Sequence, residues 1–574
     1  MSEAGKIWVV DDEPSARYPI YTRGNVGEVF PEAVAPLSWT LGARAGAEPG
    51  WRDAFVQFGA FDHDEFPDPM DLLGCFGGYA YLNVSISRIF AVRTPGMTPE
   101  VMDQTLFGAS DAPAYEARPG DESPAHTERI QATLNWVMTS DSLPGLVDDQ
   151  RLVEGVKARR PDLAQSSDQG LVDGARETMA LFRQLFARHI YVSYGSTVPV
   201  GIISQVCAEV GDPSLAMRLV AGLGDVDSAA PSWALWDLGR QVAASRGLTA
   251  HFDAGVGGLY GRLGADPGAD GFLGAFHRFV DRFGSRGPNE WEMRAPTWET
   301  DPELALAAVD RMRLAPESAD PARHWKERAG DREAVTAQVS EALAGDPEVR
   351  QQFVAAVHAA GVFLPGRERS KTTIIKLVHE ARLHMHELGR RMVKAGHFEH
   401  VLDFGMLTAD ELDQIVADPA SLAGEIRRRD ELFGRLRSLE PPFVLNGSVP
   451  PLSQWRARGS SPAEVATPGT VLSGIPGCPG SHRGTARVVL SPHEPQRLCP
   501  GDVLVAPITD PAWTPLFVPA GAVVVDVGAQ ISHAVIVARE LGIPCVVSVT
   551  DATRRIPDGA AVIVDGTAGT VTVC

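Results

Sequence analysis

A serine followed by a histidine near the end of the chain lies where a helix is predicted to begin. A β-branched run ends at Val527, and Gly528 allows a tight turn after it. Ser532 can cap the next helix, whose first turn contains His533. Unpaired backbone N–H groups and the helix dipole favour an anion there. Because a neutral imidazole is a nucleophile toward phosphorus, and nearby positive potential lowers its pKa toward the neutral form, these residues predict a phosphoryl group on His533.

An isolated Ser-His pair is more simply interpreted as a helix cap, but this pair belongs to a longer motif. The segment VGAQISHAVIVARELGIPCVV, residues 527–547, resembles the swivelling phosphohistidine domain of the pyruvate phosphate dikinase and phosphoenolpyruvate (PEP) synthase superfamily, whose pattern is roughly GGxxSHxAIxARExGIPAVV. Ala529 replaces the second glycine, and Ile531 replaces the threonine of the dikinases, which rifampin phosphotransferases also commonly lack. The resemblance implies a phosphorylated His533 in a dikinase-like phosphotransferase with paired acceptors, and these two departures bear on dikinase activity more than on histidine phosphorylation.

Two upstream segments agree with this resemblance. GIPGCPGSHRGTARVV, residues 474–489, looks like the entry to the same domain. TDPAWTPLF, residues 509–517, resembles a loop of the rifampin phosphotransferases. By this resemblance Asp510 and Thr514 orient the histidine loop, although simple turn capping is an equally open role for both.

A second group of residues places two cations on one helix face. Arg367 and Lys371 are four residues apart, with Glu368 beside them. Two cations on one face can hold a phosphoryl group while charge spreads during transfer. A solvated charged face near a helix start is the alternative interpretation.

The sequence around these cations is similar to the substrate domain of rifampin phosphotransferase. The similarity is carried by residues 21–40, 81–108 and 367–396, and it implies that Arg367, Lys371 and Glu368 belong to an active site. It also makes Arg23, Asn25 and Glu28 weaker candidates for substrate binding in the same cleft. A purely structural role for the loop that carries them is equally open.

The elements around these residues predict a multidomain α+β protein. Apolar residues in steps of three and four predict a helix from about Lys371 to Lys394, and Gly396 is a plausible stop. Short β-branched runs after residue 500 enclose one helical pattern at 533–542. We expect a largely α-helical substrate-binding domain and then a small swivelling α/β phosphohistidine domain. The predicted domains are the mixed α/β part of the substrate domain at 1–120, its helical part at 121–437, a linker rich in Pro, Ser and Gly at 438–470, and the phosphohistidine domain at 471–574.

Bulk composition narrows the function classes. The chain has 574 residues, 44% hydrophobic, with a formal net charge of −21, which argues against a general binder of nucleic acid or anionic membranes. None of the six cysteines forms a CxxC pair or has zinc-ligand spacing, so we expect reduced thiols and no bound metal. The first residues do not resemble a secretory signal, and no apolar run approaches the roughly 18 residues that span a bilayer. These features predict a cytoplasmic protein.

The resemblance also implies that two polypeptides share the reaction. A TIM barrel follows the histidine domain in the dikinases, and an ATP-grasp domain precedes the substrate domain in rifampin phosphotransferase; neither is recognisable here. This arrangement resembles phenylphosphate synthase and the bacterial alkylphenol phosphate synthases, where one subunit resembles the nucleotide-binding part and another carries the histidine. We therefore expect a partner ATP-grasp subunit, holding ATP and Mg²⁺, to phosphorylate His533. The phosphoryl group would pass to a small phenol bound in residues 1–440, giving aryl phosphate, AMP and phosphate.

Two other interpretations stay open. One is a split rifampin-type antibiotic phosphotransferase, which would need a wide mouth for a macrocycle rather than a closed apolar pocket. The other is a non-catalytic phosphocarrier or regulatory module without an acceptor site. The sequence also leaves open the base for the acceptor hydroxyl, either Glu368 or a histidine, and the choice between ATP and PEP as ultimate donor.

Overall fold

A computed structural model describes most of the chain. The described residues are 7–66, 71–107, 113–224, 226–458, 464–492, 498–509, 513–528 and 532–574. The strands are Ile20–Thr22 (β1), Leu73–Phe76 (β2), Tyr79–Asn83 (β3), Leu439–Glu440 (β4), Val444–Asn446 (β5), Arg456–Ala457 (β6), Val471–Ser473 (β7), Ile475–Cys478 (β8), Ser481–Val488 (β9), Val503–Ala506 (β10), Ala522–Val525 (β11), Cys545–Val547 (β12), Ala561–Asp565 (β13) and Thr570–Val573 (β14).

Helices dominate the first three quarters of the chain, together with a π-helical segment at Ser38–Ala47 and short 3₁₀ turns. The α-helices are Val26–Val29 (α1), Glu48–Phe58 (α2), Val84–Arg93 (α3), Pro99–Phe107 (α4), Pro124–Thr139 (α5), Pro144–Ala158 (α6), Asp168–Ala180 (α7), Phe182–Glu209 (α8), Leu215–Leu219 (α9), Ala230–Ala244 (α10), Arg246–Asp253 (α11), Leu259–Gly264 (α12), Asp270–Phe283 (α13), Pro302–Leu314 (α14), Pro321–Ala342 (α15), Pro347–Lys394 (α16), Leu412–Ala417 (α17), Ala423–Arg437 (α18), Thr514–Phe517 (α19), His533–Leu541 (α20) and Ala552–Arg555 (α21).

A small antiparallel sheet and the helices around it form the first core. The strand order is β2-β3-β1-β5, so a strand near residue 445 pairs with one near residue 21. Buried aromatic side chains from α2, α3 and β3 pack here against apolar positions in the second half of α16. Residues 1–120 therefore share one core with the later helices.

The longest helix, α16, crosses this core beside α8. It begins with Pro347 behind the cap Asp346, whose carboxylate accepts a hydrogen bond from the Val349 N–H at 3.1 Å. It ends before Gly396, whose φ is +80°. The predicted end is therefore right, but the helix starts well before Lys371. Proline inside a helix normally interrupts it, but Pro365 is buried and α16 continues through it. The observed helix is therefore longer than periodicity alone predicts.

The C-terminal domain is an eight-stranded mixed sheet with the order β7-β14-β13-β9-β10-β11-β12-β8. The four strands β9 to β12 run parallel to one another, and the outer strands are antiparallel. Both β10 and β11 are buried along their whole length because the two faces of the sheet are covered. The predicted fold class, a largely helical domain followed by a smaller α/β domain, is confirmed.

The C-terminal domain packs against the helices α10 to α15. Apolar side chains of α19 and α20 belong to the same buried cluster as those of α10, α13 and α14. In this arrangement the start of α20 faces the middle of α16. Among the described residues, no helix combines the length and apolarity that crossing a bilayer requires.

The predicted linker, 438–470, is only partly a linker. Its first half contributes β5 to the N-terminal sheet and buries Trp455 in the first core, with the indole N–H donating to the Pro450 carbonyl at 3.0 Å. Its Pro and Gly residues serve as turns between these short strands, and turn-rich sequence cannot distinguish that role from an open linker. Residues 459–463 lie outside the described part of the chain.

Candidate active site

His533 is positioned by the carboxyl ends of two adjacent parallel strands. The chain leaves β11 and reaches His533 as the first residue of α20, while the loop after β10 brings Thr509 beside it. Ligands of open α/β sheets bind at this edge, because consecutive strand ends bring their loops together there. The structure thus places a histidine, a helix start and a second loop at one point.

The imidazole of His533 is buried and held at both nitrogens. Nδ1 lies 3.2 Å from the Thr509 hydroxyl, and Nε2 lies 3.2 Å from the Thr514 hydroxyl. Phe517 packs edge-on against the ring, with the centroids 6.0 Å apart. Because a hydroxyl can donate or accept, either tautomer is supported, so the protonated nitrogen can be the one opposite a bond to phosphorus.

Burial lowers the pKa of His533 well below its usual value, and the nearby charges of Lys371 and Arg286 lower it further, against the opposing effect of Glu368. The ring is therefore neutral near pH 7. A neutral ring has the lone pair that attack on phosphorus requires.

Two buried polar atoms next to His533 have no hydrogen-bond partner among the described residues. One is the Ser532 Oγ, and the other is the Nε of Arg367. Ser532 occupies the N-cap position of α20, but its side chain makes no cap hydrogen bond to the described backbone, which corrects the expected capping contact. Buried polar groups normally have partners, so these atoms fit a site that binds an oxygen-rich group.

The predicted cations lie on α16, opposite the histidine. An Arg367 Nη1 donates to the Glu368 carboxylate at 2.6 Å, and Lys371 Nζ lies 3.5 Å from Glu290. Burial raises the pKa of Glu368, but the charges of Arg367 and Lys371 outweigh it and hold that pKa at about 2. Glu368 is thus a fixed negative charge that holds two cations in a buried place.

A buried arginine adds a third cation that the sequence did not single out. Arg286 donates to both carboxylate oxygens of Glu290, at 2.9 and 3.0 Å, and to the hydroxyl of Thr372 at 2.6 Å. Arg286 is 1% exposed. It precedes α14 in a segment without periodicity, and its role depends on contacts with α16 that sequence spacing cannot reveal.

These groups close one end of a cavity of about 230 Å³. His533, Arg367, Glu368, Lys371 and Thr509 form the polar end. The other walls are mainly apolar and come from α1 to α4, α8, the strand β3 and the turn before α4: Val29, Trp51, Leu82, Phe90, Met97, Met102, Leu106, Ile190 and Tyr194. A smaller cavity of about 100 Å³ adjoins it and shares Trp51, Ile190 and Trp291 with it. The shape suits a compact apolar molecule whose polar group faces His533.

The weaker predicted substrate residues divide between two places. Asn25 and Glu28 line the cavity, and Asn25 has a positive φ of 65°. Arg23 does not line it, because its guanidinium donates to the carbonyls of Ala80 and Phe30 and lies over the Tyr79 ring. Arg23 therefore holds the N-terminal sheet together.

Gly528, predicted to allow a tight turn, and Asp510, predicted to orient the histidine loop, are the two remaining candidates near His533. Gly528 follows β11, and a Cβ placed on it would lie 3.1 Å from both the Ser532 hydroxyl and the Val547 side chain. A side chain there would crowd the start of α20. Asp510 lies outside the described residues.

One cluster within the described residues has metal-ligand spacing, and it lies apart from this site. It consists of Asp62, Glu65 and His126. Arg129 lies 2.8 Å from Asp62, and Arg93 lies 2.6 Å from Glu65. The carboxylates are already neutralised by arginines, so the cluster is an ion-pair network.

Two segments of the chain that contribute residues to this site match known protein families. Residues 498–569 match the mobile domain of the PEP-utilising enzymes, and residues 189–368 match the fourth domain of rifampicin phosphotransferase. Together these matches support membership of the superfamily of PEP-utilising, phosphohistidine-bearing enzymes. His533 lies in the segment that matches the mobile domain.

Curated relatives extend the similarity over the whole chain. An uncharacterised protein of Mycobacterium tuberculosis is 28% identical over 97% of this chain. The prodigiosin synthesizing transferase PigC of Serratia marcescens is 27% identical over 87%, and a rifampicin phosphotransferase of a Streptomyces species is 31% identical over 54%. The chain spans 62%, 57% and 36% of the lengths of these three relatives.

Proposed function

We propose that this protein transfers a phosphoryl group from His533 to the hydroxyl of a small phenol bound in the 230 Å³ cavity. The observation that carries the proposal is one cavity with a neutral histidine and a cation cluster at one end and apolar walls at the other. Phosphoryl transfer needs mainly positioning and charge stabilisation, and these residues supply both.

The transfer exchanges one bond at phosphorus and removes the proton of the phenol hydroxyl. The phenol oxygen attacks phosphorus, the P–N bond to His533 breaks, and its electron pair returns to the imidazole. Arg367 and Lys371 stabilise the charge that spreads over the equatorial oxygens, and the Ser532 hydroxyl and the first N–H groups of α20 hold the group beforehand. Thr509 and Thr514 keep the ring aimed at the cavity.

The donor half of the reaction is assigned to an ATP-grasp partner. In this proposal the partner binds ATP with Mg²⁺ and phosphorylates His533 while the mobile domain is turned toward it. The mobile domain then returns to the docked position seen here. ATP, the phenol and water together give aryl phosphate, AMP and phosphate.

Cavity size favours a phenol over a macrocyclic antibiotic. Pockets for drug-sized ligands enclose about 300–1,000 Å³. Even with the adjoining cavity of about 100 Å³, the main cavity of about 230 Å³ lies at the low end of that range. It is also lined by side chains suited to an aromatic ring and a short alkyl group. A non-catalytic carrier is disfavoured, because such a module needs no apolar cavity against its histidine.

Phosphorus NMR of the full chain with Mg-ATP and a short alkylphenol tests this proposal. One sample includes a separate ATP-grasp protein, one omits that protein, and a third contains His533→Asn. Aryl phosphate and AMP that form only with the partner and with His533 are the expected result. A phosphorylated protein that gives no aryl phosphate but phosphorylates rifampicin would replace the phenol with the antibiotic as acceptor.

A further inference from the structure

His189 on α8 lines the wall of both cavities, close to the cation cluster. It contributes to the 230 Å³ cavity that contains His533 and to the adjoining smaller one. Its ring packs beside Trp291 and Phe186, with centroids 6.3 and 6.1 Å away. It is thus a titratable side chain in a mainly apolar wall, and the transfer described so far gives it no role.

A short hydrogen-bond chain fixes the tautomer of His189. The Ser370 hydroxyl lies 2.8 Å from the Arg367 carbonyl, to which it can only donate. A serine hydroxyl has one proton, so the same oxygen must accept from the Nδ1 of His189, which lies 2.9 Å away. Nδ1 therefore carries the hydrogen, and Nε2 is left with an unshared electron pair. Among the described residues, no group is recorded as bonded to that nitrogen.

We infer that His189 is a catalytic residue that accepts the proton of the acceptor hydroxyl through Nε2. The inference rests on the proposed function. As the phenol oxygen forms its bond to phosphorus, its O–H bond breaks and the proton passes to Nε2. The P–N bond electrons return to His533, and His189 later releases the proton to solvent. Atoms and charge balance without any further reactant.

The charges around His189 suit this task in the phosphorylated state. Burial lowers the pKa of His189 to about 3, and the charges of Arg367 and Lys371 contribute to the lowering. The ring is neutral before reaction. A phosphoryl group beside the same two cations offsets their charge and so makes Nε2 more basic at the moment of transfer. Glu368, whose pKa of about 2 is lower still, already accepts a hydrogen bond from Arg367.

His189→Asn tests this role most directly. The asparagine amide can still donate a hydrogen bond to Ser370, but it has no basic nitrogen in place of Nε2. The expected loss is about 10²-fold or more in kcat with an unsubstituted phenol, whose pKa is near 10 like that of tyrosine. With a nitrophenol that is already ionised at the assay pH, no proton has to be removed. The variant should therefore transfer to the nitrophenol at close to the wild-type rate.

Two measurements keep this inference separate from the proposed function. Wild type that fails to phosphorylate any phenol sinks the proposed function, whatever His189 does. Wild type that phosphorylates phenol together with a His189→Asn variant that is equally slow with both acceptors overturns the inference and assigns His189 a structural role. His358→Gln serves as the control, since that side chain is 54% exposed and lies on the first half of α16. Ser370→Ala removes the hydroxyl that accepts the Nδ1 hydrogen bond of His189, so the tautomer is no longer fixed. This variant should lower the rate with phenol by less than His189→Asn does.

Discussion

At the scale of residues, the site combines neutral nucleophilic groups with fixed charges. His533 lies on α20 and Lys371 on α16, and folding brings these two distant segments together. Glu368 and Glu290 hold the cations in place when no phosphate is bound. A carboxylate held at a pKa of about 2 cannot exchange protons near neutrality. In the proposed reaction, α16 therefore stabilises charge and α20 carries the phosphoryl group.

Removing one cation tests this division. Lys371→Met and Arg367→Met should each lower the rate of transfer from phosphorylated His533 to the acceptor by about 10²–10³-fold, the range found when one preorganised donor is deleted. Phosphorylation of His533 by the partner should change little, since that step takes place away from α16. Single-turnover transfer from purified phosphoprotein gives the number.

Arg390→Met is the matched control for these two variants. Arg390 lies on the same helix, is 58% exposed and pairs with Glu387. Its loss should leave the rate unchanged. Equal losses in all three variants would mean that α16 contributes stability rather than transition-state stabilisation.

At the scale of elements, two strand ends and one helix decide where the histidine points. The loop after β10 brings Thr509 to Nδ1, and α19 brings Thr514 to Nε2. Thr514 was within reach of sequence reasoning, because it stands in a recognisable loop. Thr509 opens the same loop, but only the parallel pairing of β10 and β11 shows that it reaches the ring.

Deleting one of these hydroxyls should have a modest effect. Thr514→Val keeps the shape and removes one hydrogen bond of about 1 kcal/mol, which corresponds to a rate loss of roughly fivefold. The rate of His533 phosphorylation and the rate of transfer should fall together, since both depend on ring orientation. A change in only one of the two rates would show that Thr514 acts on a single step.

The smaller cavity predicts a preference for an alkyl substituent on the acceptor. Gly42 lines this cavity, and a Cβ added there meets only Met179, at 3.6 Å. Gly42→Val should fill it and displace two or three methylene groups of a longer alkylphenol, at about 0.8 kcal/mol each, raising KM at least tenfold. KM for phenol itself should not change.

The control for that variant is Gly201→Val on α8. Nothing lies within 4 Å of a Cβ added at Gly201, which is not among the residues lining either cavity. Steady-state kinetics with a series of chain lengths separates the two variants. A KM that rises equally for phenol and for alkylphenols would place the tail elsewhere.

At the scale of the whole molecule, the reactive histidine is buried where two domains meet. The mobile domain packs on α10 to α15, so His533 is 8% exposed in this arrangement. In the proposed reaction, exchange with a nucleotide-binding partner requires it to leave that position. The burial that would exclude water from transfer would then make domain movement necessary before His533 is phosphorylated again.

Burial of neutral histidines also predicts a pH dependence of stability. His189 has a pKa of about 3 when folded and about 6.5 when unfolded, so only the unfolded state gains a proton as pH falls between these values. The stabilisation by the neutral ring is fully present above about 6.5 and is lost as pH falls toward 3, at about 1.4 kcal/mol per pH unit.

The comparison of wild type with His189→Asn isolates this contribution. Urea unfolding at pH 6.5, 5.5 and 4.5 should show the free energy of unfolding falling more steeply with decreasing pH in the wild type. Buried carboxyls with raised pKa values, such as Glu48 at about 8, act in the opposite direction but equally in both proteins. Parallel curves would contradict the low pKa of His189.

Local motifs could be predicted from sequence, and long-range contacts could not. The motif around His533 and the spacing of Arg367 and Lys371 could be recognised because their residues are close together in the sequence. His189 and Ser370 lie on different helices, and no periodicity relates them. The strand β5 was missed for the same reason, since its partner β1 lies at the other end of the domain.

Mass spectrometry of the intact protein and its peptides, kept at alkaline pH, is the most direct test of the central claim. The full chain is incubated with Mg-ATP and the ATP-grasp partner, and in parallel with PEP. We expect one acid-labile phosphoryl group on the peptide that contains His533. It should disappear when a phenol is added and be absent from His533→Asn. A phosphoryl group on another residue, or none with either donor, would contradict the central claim.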